Sequence, residues 1–286
     1  MKKFDNLIIV SDMDGTFFGE KATVLNNNIE AIRFFQKNGG IFTLATGRDY
    51  KILEQKYSDL REYLSCPAIL CNGSYLYDFK KKEKIYEIEL NKEEALNIVS
   101  LVKNEIPESS FRVSFDKGFL CDNKNKIPFS PELAQELSPI IIFDDPLKYK
   151  DVPWHKLVFS SNGEKGASAD GLSSTENNWI PKAEKIISQI ELKTLFFTTS
   201  SGTLLELLPK EASKGKALIN LRKLFPNKKI ICVGDYLNDM DMLQSADIPA
   251  CPANALDQVK NICKVHLCDH REGCIADLIY KLDSIV

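Results

Sequence analysis

Two aspartates just after a short apolar segment constrain the fold of this chain more than any other feature. Residues 7–10 (LIIV) form an unbroken apolar run with β-branched members, which is typical of a strand buried on both faces. Asp12 and Asp14 come next, and an extended backbone would point both carboxylates to the same side. Gly15 then lets the chain turn away through a conformation that a β-carbon would penalise.

Turn formation alone would also explain an Asp- and Gly-containing loop at this place, because both residues favour turns. Two like charges this close repel, however, and both stay ionised only when a cation lies between them. In open α/β sheets, ligands bind at the carboxyl ends of the strands. We therefore interpret Asp12 and Asp14 as candidate site residues.

The size, composition and charge are those of an ordinary globular protein. The 286 residues are 44% hydrophobic and 27% charged, which is enough chain for one large domain or two smaller ones. The net charge of −3 gives no electrostatic argument for a nucleic-acid or anionic membrane partner. The apolar run after Lys3 is short for a signal peptide, and no stretch has the length of a membrane span. We expect a cytoplasmic protein; the oligomeric state is left open.

The eight cysteines are interpreted as free thiols. Several lie within apolar runs, such as 231–233 (ICV), so buried thiols are favoured over a disulfide framework. The four cysteines nearest the carboxyl terminus lack CxxC spacing, and the chain has only three histidines. A zinc site is therefore not expected.

The first part of the chain predicts repeated βαβ units. Apolar strands alternate with helical patterns, and the second and third strands end in polar residues, at 46–48 (TGR) and 72–73 (NG). Such alternation predicts a parallel sheet. The predicted elements are strands at 7–10, 41–45 and 68–71, a helix capped by one of Asn26–Asn28 that ends before Gly39, and a helix at 50–60.

The middle of the chain has a different pattern. Alternating apolar and polar residues predict antiparallel hairpins, and Asn91 with Glu94 forms a capping box for a helix that ends near residue 105. Strands are predicted at 75–79, 85–90, 111–115, 119–121, 154–160, 195–199 and 203–208, a helix at 181–190, and a loop at 162–178. We interpret this part as an inserted α+β domain.

The α/β pattern returns at Ser213. An amphipathic helix is predicted over 214–224, and the buried strand 229–233 that follows ends in GDYLND at 234–239. Two short strands at 248–251 and 265–268 and two helices at 255–262 and 274–282 complete the prediction. The chain thus divides into a parallel-sheet core, residues 1–80 and 205–286, and an inserted domain, residues 81–204.

Four segments of the predicted core each place polar groups at a strand end or a helix start. Each pattern alone occurs by chance, but all four in this order and context indicate one site. Lys214 supports this interpretation, because a lysine after an N-cap serine is unfavourably placed for the helix dipole. The four segments carry Asp12 and Asp14, Thr46, Lys214, and the group Asp235, Asn238 and Asp239.

With these residues, nearly the whole chain resembles the haloacid dehalogenase-like superfamily. The likeness is greatest to its sugar-phosphatase-like (Cof-type) members, in which an α/β cap is inserted between the second and third motifs. Met13 and the pair Cys251-Pro252 depart from the usual residues, but neither is at a catalytic position. The matching motifs are DMDGT at 12–16, TGR at 46–48, Lys214 after ELLP at 206–209, and GDYLND at 234–239, with the NG of 72–73 before the cap.

The resemblance implies a Rossmann-like core, a cap that selects the substrate, and Mg²⁺-dependent phosphatase chemistry through an aspartyl-phosphate. Asp12 would be the nucleophile, and Asp14 the general acid and base. The implied Mg²⁺ ligands are the Asp12 carboxylate, the Asp14 backbone carbonyl and Asp235. The implied phosphate- and substrate-binding residues are Thr46, Gly47, Arg48, Lys214 and Asn238, and Asp239 would orient Lys214 or the metal shell.

Several of these residues have a structural interpretation as well. Arg48 would contact substrate or anchor its own loop, Thr46 alone is an ordinary strand-end residue, and Asp239 would also suit the first turn of a helix. Specificity would come from the cap, whose hairpin aromatics are more often core residues than ligands. The candidates there are Arg112, Phe115, Lys117 and His155.

We therefore expect a phosphatase that acts on a small phosphorylated metabolite, by resemblance a sugar phosphate. One alternative is a phosphotransferase or phosphohexomutase that uses the same aspartyl-phosphate. The other is a non-catalytic receiver or sugar-phosphate sensor. Receiver domains are much shorter and have no insertion, and a sensor does not need Asp14, which is present here.

Overall fold

The computed structural model describes residues 2–115, 118–122, 140–142, 146–149, 151–161, 178–201 and 204–285. It divides into two compact units: Met1–Glu87 with Ala212–Val286, called the core unit here, and Ile88–Glu211, called the inserted unit. The observed boundaries therefore follow residues 87 and 211, where the sequence predicted 80 and 204.

The described strands and longer helices cover most of both units. In chain order they are β1 (Leu7–Ser11), α1 (Asn26–Lys37), β2 (Ile41–Leu44), α2 (Tyr50–Lys56), β3 (Ala68–Leu70), β4 (Tyr75–Asp78), β5 (Glu83–Glu87), α3 (Lys92–Glu105), β6 (Phe111–Phe115), β7 (Gly118–Cys121), β8 (Ile140–Ile142), β9 (Trp154–Ser160), α4 (Ile180–Ser188), β10 (Leu195–Ser201), β11 (Leu204–Pro209), α5 (Lys214–Leu224), β12 (Lys229–Val233), α6 (Met240–Gln244), β13 (Ile248–Cys251), α7 (Asp257–Lys260), β14 (Val265–His266) and α8 (Cys274–Ile285).

The core unit contains a five-stranded parallel sheet in the order β14-β13-β12-β1-β2. Every residue of β1 is buried, because alternate side chains enter opposite apolar layers. Leu7 and Ile9 pack with α1 and α8, whereas Ile8 and Val10 pack with α5, α6 and α7. This is the doubly covered strand that the sequence predicts, and it brings the ends of β1, β2 and β12 to one edge of the sheet.

The inserted unit has two layers, a β-sheet and the helices that pack against it. Its six-stranded sheet has the order β10-β11-β9-β6-β7-β8 and is antiparallel except for the β7–β8 pair. Apolar residues of α3 and α4, such as Ile98 and Ile187, pack against Val113 and Leu157 of the sheet. The predicted fold class, a Rossmann-like parallel-sheet core with an inserted α+β domain, is confirmed.

Strand pairing explains both boundary differences. β5 pairs with β4, and β4 pairs with β3, so this small antiparallel sheet stays with the core unit. β11 pairs with β9 and β10 and therefore belongs to the inserted unit. β3 itself meets the parallel sheet through one bridge, between Ala45 and Ile69, and is not a full third parallel strand as predicted.

Several local predictions were wrong in detail. α1 begins at Asn26 with Leu25 as its N-cap and without a side-chain cap. The helix predicted over 50–60 ends at Lys56, and a 3₁₀ segment follows at Ser58–Tyr63. Asn91 caps α3, but the Glu94 carboxylate binds the backbone N–H groups of residues 193 and 194 instead of completing a capping box. The strand β8 and the short helix α6 were not predicted.

The remaining predictions on folding concern the cysteines, membrane spans, and segments outside the described residues. All eight cysteines are free, and all but the partly buried Cys268 are buried, as predicted. None of the described helices has the length and hydropathy needed to cross a membrane. The predicted loop at 162–178, apart from Asn178, and the hairpin residues Asp116 and Lys117 lie outside the described residues.

A buried ion pair in the inserted unit leads to a stability prediction. Lys156 Nζ of β9 lies 3.0 Å from Glu206 Oε1 of β11, and both side chains are about 95% buried, with exposures of 5% and 6%. We predict that Lys156→Met lowers the free energy of unfolding by about 3 kcal/mol, because it removes the ammonium beside a buried carboxylate. The double variant Lys156→Met/Glu206→Leu should be more stable than Lys156→Met.

Urea titrations followed by tryptophan fluorescence test this prediction, since both tryptophans, Trp154 and Trp179, lie in the inserted unit. Lys185→Met, at an exposed position of α4, is the matched control and should change the free energy of unfolding by less than about 0.5 kcal/mol. Additive losses in the double variant would contradict the prediction.

Candidate active site

The two aspartates of the first motif lie in a tight turn that leaves β1. The backbone N–H of Asp12 still donates to Val233 O, at 2.9 Å, so the ladder with β12 continues to this residue. The turn Met13–Phe17 then begins, and Gly15 has a φ of 80°. A β-carbon on Gly15 would lie 2.5 Å from Asp235 Oδ2. Glycine is therefore required here by both conformation and space.

The sequence predicted that Asp12 and Asp14 point to the same side, provided that the backbone stays extended. The extended backbone ends at Asp12. Asp12 is buried, with 6% exposure, whereas Asp14 is exposed. Their carboxylates contact different cations: Asp12 contacts Lys214, and Asp14 contacts Arg48. The structure thus gives the two aspartates distinct surroundings, although the sequence places them one residue apart.

Lys214 lies in the first turn of α5 and joins two buried carboxylates. Its Nζ is 2.5 Å from Asp12 Oδ1 and 2.6 Å from Asp239 Oδ1, and its side chain is fully buried. Asp239 Oδ2 accepts hydrogen bonds from the backbone N–H groups of Asp235 and Tyr236, at 3.0 and 3.2 Å. Asp239 therefore fixes the lysine and the loop after β12 together.

The electrostatics of this group favour an additional cation. Burial raises the pKa of Asp12 well above its usual range, Lys214 opposes this, and the neighbouring aspartates add to it. Burial lowers the pKa of Lys214, but Asp12 and Asp239 outweigh this, and the net pKa is raised, so the lysine stays charged. Burial, together with Asp239, raises the pKa of Asp235 to about 6, although Thr16 donates a hydrogen bond to it.

Three carboxylates form the part of the site that could hold a metal ion. Asp12, Asp235 and Asp239 each offer an oxygen within 4.8 Å of the other two. Both Asp239 oxygens already accept hydrogen bonds, whereas Oδ2 of Asp12 and Oδ2 of Asp235 accept none from the described residues. Hard oxygen donors of this kind suit Mg²⁺. The donor set therefore fits the cation with Asp12 and Asp235 as side-chain ligands.

The second motif positions Arg48 beside Asp14. The Arg48 guanidinium donates to both Asp14 oxygens, at 2.9 and 2.6 Å, and lies over the rings of Phe18 and Tyr57. Burial lowers the pKa of Arg48, but Asp14 more than offsets this and the pKa is raised. Thr46 is buried, and its hydroxyl accepts from the Arg48 N–H at 3.1 Å. Arg48 thus joins the second motif to the first, and a contact of Arg48 with substrate stays a prediction.

The NG turn after β3 contacts both Asn238 and the start of α5. Asn238 Nδ2 donates to Asn72 Oδ1 at 3.1 Å, and a β-carbon on Gly47 would lie 3.1 Å from that oxygen. Gly73 has a φ of 94°, and a β-carbon there would lie 2.0 Å from Ser213 O. The turn therefore links Gly47, Asn238 and the helix that carries Lys214.

The structure adds residues that sequence reasoning did not select. Thr16 Oγ1 donates to Asp235 Oδ1 at 2.7 Å, and the motif DMDGT contains this threonine. Asn254 Nδ2 donates to Gly15 O at 2.8 Å. For Asn254, the only signal in the sequence is a polar residue after a strand, and such residues are too common to be informative.

The candidate specificity residues lie in the inserted unit. Arg112, Phe115 and His155 are buried there, and Phe115 belongs to the apolar cluster between the sheet and its helices. This packing agrees with the structural interpretation of Phe115. The Arg112 guanidinium lies over the Phe119 ring, 5.6 Å from its centroid. Lys117 is outside the described residues.

Comparisons with known proteins agree with this geometry. The family model of haloacid dehalogenase-like hydrolases matches residues 9–279. Pyridoxal phosphate phosphatase YbhA of Escherichia coli is 24% identical over 279 residues, covering 96% of this chain and 97% of its own. The 5-amino-6-(5-phospho-D-ribitylamino)uracil phosphatase YwtE of Bacillus subtilis is 24% identical over 269 residues, covering 88% and 89%.

Solved structures show the same fold. A haloacid dehalogenase-like hydrolase from Bacteroides thetaiotaomicron matches with a TM-score of 0.78 and 22% identity, over 98% of this chain and 100% of that chain. The subclass IIB sugar phosphatase BT4131 matches with a TM-score of 0.75 and 18% identity, over 98% and 99%. The chain belongs to the haloacid dehalogenase-like hydrolases, and it is an enzyme of their phosphatase type.

The raised pKa of Asp235 predicts a pH-dependent effect of Mg²⁺ on stability. A carboxyl group whose pKa is raised by folding destabilises the folded chain as the pH rises from about 3.9, the unfolded value, through the folded value of about 6. A divalent cation favours the ionised carboxylate. Mg²⁺ should therefore raise the melting temperature more at pH 7.5 than at pH 5.

Thermal unfolding with MgCl₂ or with EDTA at the two pH values measures this effect. Asp235→Asn should lose most of the increment at pH 7.5, whereas the exposed control Asp257→Asn should keep it. Equal Mg²⁺ increments at both pH values, or a full increment in Asp235→Asn, would contradict the prediction.

Proposed function

We propose that this enzyme hydrolyses a small phosphorylated metabolite of the sugar-phosphate class with Mg²⁺, through an aspartyl-phosphate on Asp12. The observation that carries the proposal is the Asp12 carboxylate, buried at the carboxyl edge of the parallel sheet and held by Lys214 beside Asp235. A fixed and partly desolvated carboxylate next to a cation suits nucleophilic attack on a phosphoryl group.

In the first step, an Asp12 oxygen forms a bond to phosphorus, and the bond to the substrate's alkoxide oxygen breaks. Asp14 gives its proton to that alkoxide, and in the second step it takes a proton from the water that attacks phosphorus and releases Asp12. Asp12, the Asp14 backbone carbonyl and Asp235 would hold Mg²⁺, which when bound offsets the charge of the carboxylates and the phosphate.

The remaining core residues supply positive charge and hydrogen-bond donors for the phosphate. Lys214 stays charged because it lies between two carboxylates, which supports its role as a phosphate-binding cation. The buried Thr46 hydroxyl, the Gly47 backbone and the Asn238 amide are the proposed neutral contacts. Asp239 orients Lys214, and Arg48 holds Asp14 before substrate contacts it.

The names of related phosphatases support the substrate class. They include a subclass IIB sugar phosphatase and phosphatases of pyridoxal phosphate and of a phosphoribitylamino uracil, whose names describe phosphate esters of small metabolites. We propose that the inserted unit acts as the cap that selects the substrate, with Arg112 and His155 as its candidate polar contacts. Sugar phosphates are the first compounds to assay.

Phosphate release from a panel of sugar phosphates, pyridoxal phosphate, nucleotides and an aryl phosphate tests the proposal. Asp12→Asn should lower kcat by roughly a thousandfold or more, because an amide is a poor nucleophile. Removal of Mg²⁺ with EDTA should have a similar effect, and the exposed control Asp257→Asn should retain wild-type activity.

If Asp12→Asn keeps the wild-type rate of phosphate release, the mechanism through an aspartyl-phosphate on Asp12 is wrong. Conversion of a sugar monophosphate into an isomer through a bisphosphate, without release of phosphate, would show a phosphohexomutase instead. Tight binding of sugar phosphates by a folded wild-type protein without any turnover would show a sensor.

A further inference from the structure

Four consecutive backbone carbonyls of the turn after β1 each accept a hydrogen bond from a side chain of another segment. They belong to residues 15–18, directly after Asp14. Side chains seldom satisfy so many successive carbonyls of one turn, since loop carbonyls usually bond to backbone or water. The donors are Asn254 Nδ2 to Gly15 O at 2.8 Å, Cys274 Sγ to Thr16 O at 3.1 Å, Asn28 Nδ2 to Phe17 O at 3.0 Å, and His270 Nδ1 to Phe18 O at 2.6 Å.

The turn's own hydrogen bonds join its end to its start. The N–H groups of Phe17 and Phe18 donate to the carbonyls of Asp12 and Met13, at 3.3 and 2.9 Å. The carbonyls of residues 15–18 take no part in these two bonds and accept from the four side chains instead. Beside these bonds and the backbone bridge between Phe18 and Val24, side chains from other segments therefore hold the carbonyls of the turn's second half.

Asn254 is held in one orientation by both ends of its amide. Its Oδ1 accepts from the backbone N–H of His270 at 3.1 Å, so its Nδ2 is the group that faces Gly15 O. The His270 ring donates from Nδ1 to Phe18 O, because a carbonyl can only accept. Asn254 and His270 thus form a linked pair that contacts the turn at Gly15 and Phe18.

The peptide group that Asn254 holds lies between two functional side chains. Asp14 precedes Gly15, and Thr16, which donates to Asp235, follows it. Gly15 has a positive φ. Because glycine has no β-carbon, the backbone rotates more easily at Gly15 than at its neighbours. The hydrogen bond from Asn254 to Gly15 O restricts this rotation next to Asp14, whose carboxylate is itself bound by Arg48.

We propose that Asn254, supported by His270, is a positioning residue that holds the Asp14 turn in the geometry for proton transfer to the leaving group. The proposal rests on the phosphatase mechanism given above, in which Asp14 is the general acid. Asn254 does not contact the reacting atoms; it acts through Gly15 and Asp14, as outer contacts commonly preorganise a catalytic group.

Leaving groups of different basicity separate this role from a structural one. A poor leaving group, such as the alkoxide of glucose 6-phosphate, needs a proton from Asp14, whereas 2,4-dinitrophenolate leaves without one. One neutral hydrogen bond contributes about 0.5–1.5 kcal/mol, or roughly two- to tenfold in rate. In single-turnover experiments, which isolate the first step, Asn254→Ala should lower the rate of phosphoryl transfer from the alkyl phosphate by about three- to tenfold and that from 2,4-dinitrophenyl phosphate by less than about twofold.

Three further variants complete the experiment. Asn254→Asp should lose more activity on the alkyl phosphate than Asn254→Ala, because it directs a carboxylate at the carbonyl of Gly15. Asp14→Asn should show the same division between the two substrates in this first step, in stronger form, whereas loss of the base for the second step should lower kcat on both substrates. Asn261→Ala, also an exposed asparagine, is the matched control and should match wild type on both substrates and in melting temperature.

Equal losses on the two substrates, or no loss on either, would overturn the proposal. The alkyl phosphate is one from the panel above that the wild-type enzyme hydrolyses; if it hydrolyses none of the panel, the proposed function fails, and hydrogen exchange then decides the positioning claim. Amide exchange of residues 14–18 should be faster in Asn254→Ala than in Asn261→Ala at equal global stability. Identical exchange rates would overturn the claim independently of activity.

Discussion

A buried lysine between two buried carboxylates is the interaction on which the site of the core unit depends. Lys214 contacts Asp12 and Asp239 together, and this requires the ends of two strands and the start of one helix to meet within hydrogen-bond distance. Gly73 and Gly234 permit the approach, since a β-carbon on either would overlap neighbouring atoms. One ammonium does not balance the three carboxylates of this cluster, so the same geometry that fixes the nucleophile also creates a place for a divalent cation.

The sequence could predict that residues at the ends of the parallel strands lie close together, because the carboxyl ends of such strands meet at one edge of the sheet. Three segments have strong and uniform patterns of apolar residues: the strands at 7–10 and 229–233 and the helix at 214–224. In the structure they lie at or near the predicted bounds. The convergence of Asp12, Lys214 and Asp239 follows from that topology. Their catalytic roles are proposals, which the geometry supports and experiments must test.

Contacts between side chains from distant segments could not be predicted. The Arg48–Asp14 pair and the Asn254–Gly15 hydrogen bond join residues 34 and 239 positions apart, and polar residues of these types are common in any loop. The same reason applies to Glu94, which meets residues 193 and 194 instead of its own helix start, and to the buried pair of Lys156 with Glu206. Such contacts depend on tertiary packing, which local patterns do not encode.

The central claim, that Asp12 carries the phosphoryl group, is tested most directly by trapping the intermediate. Asp14→Asn is mixed with a ³²P-labelled aryl phosphate and Mg²⁺, quenched in acid within milliseconds, and digested for peptide mapping. Without the base that activates water, the account predicts label on the peptide containing Asp12, with the lability to hydroxylamine of an acyl phosphate. Label on another residue, or free phosphate formed at the wild-type rate with no labelled protein, would contradict it.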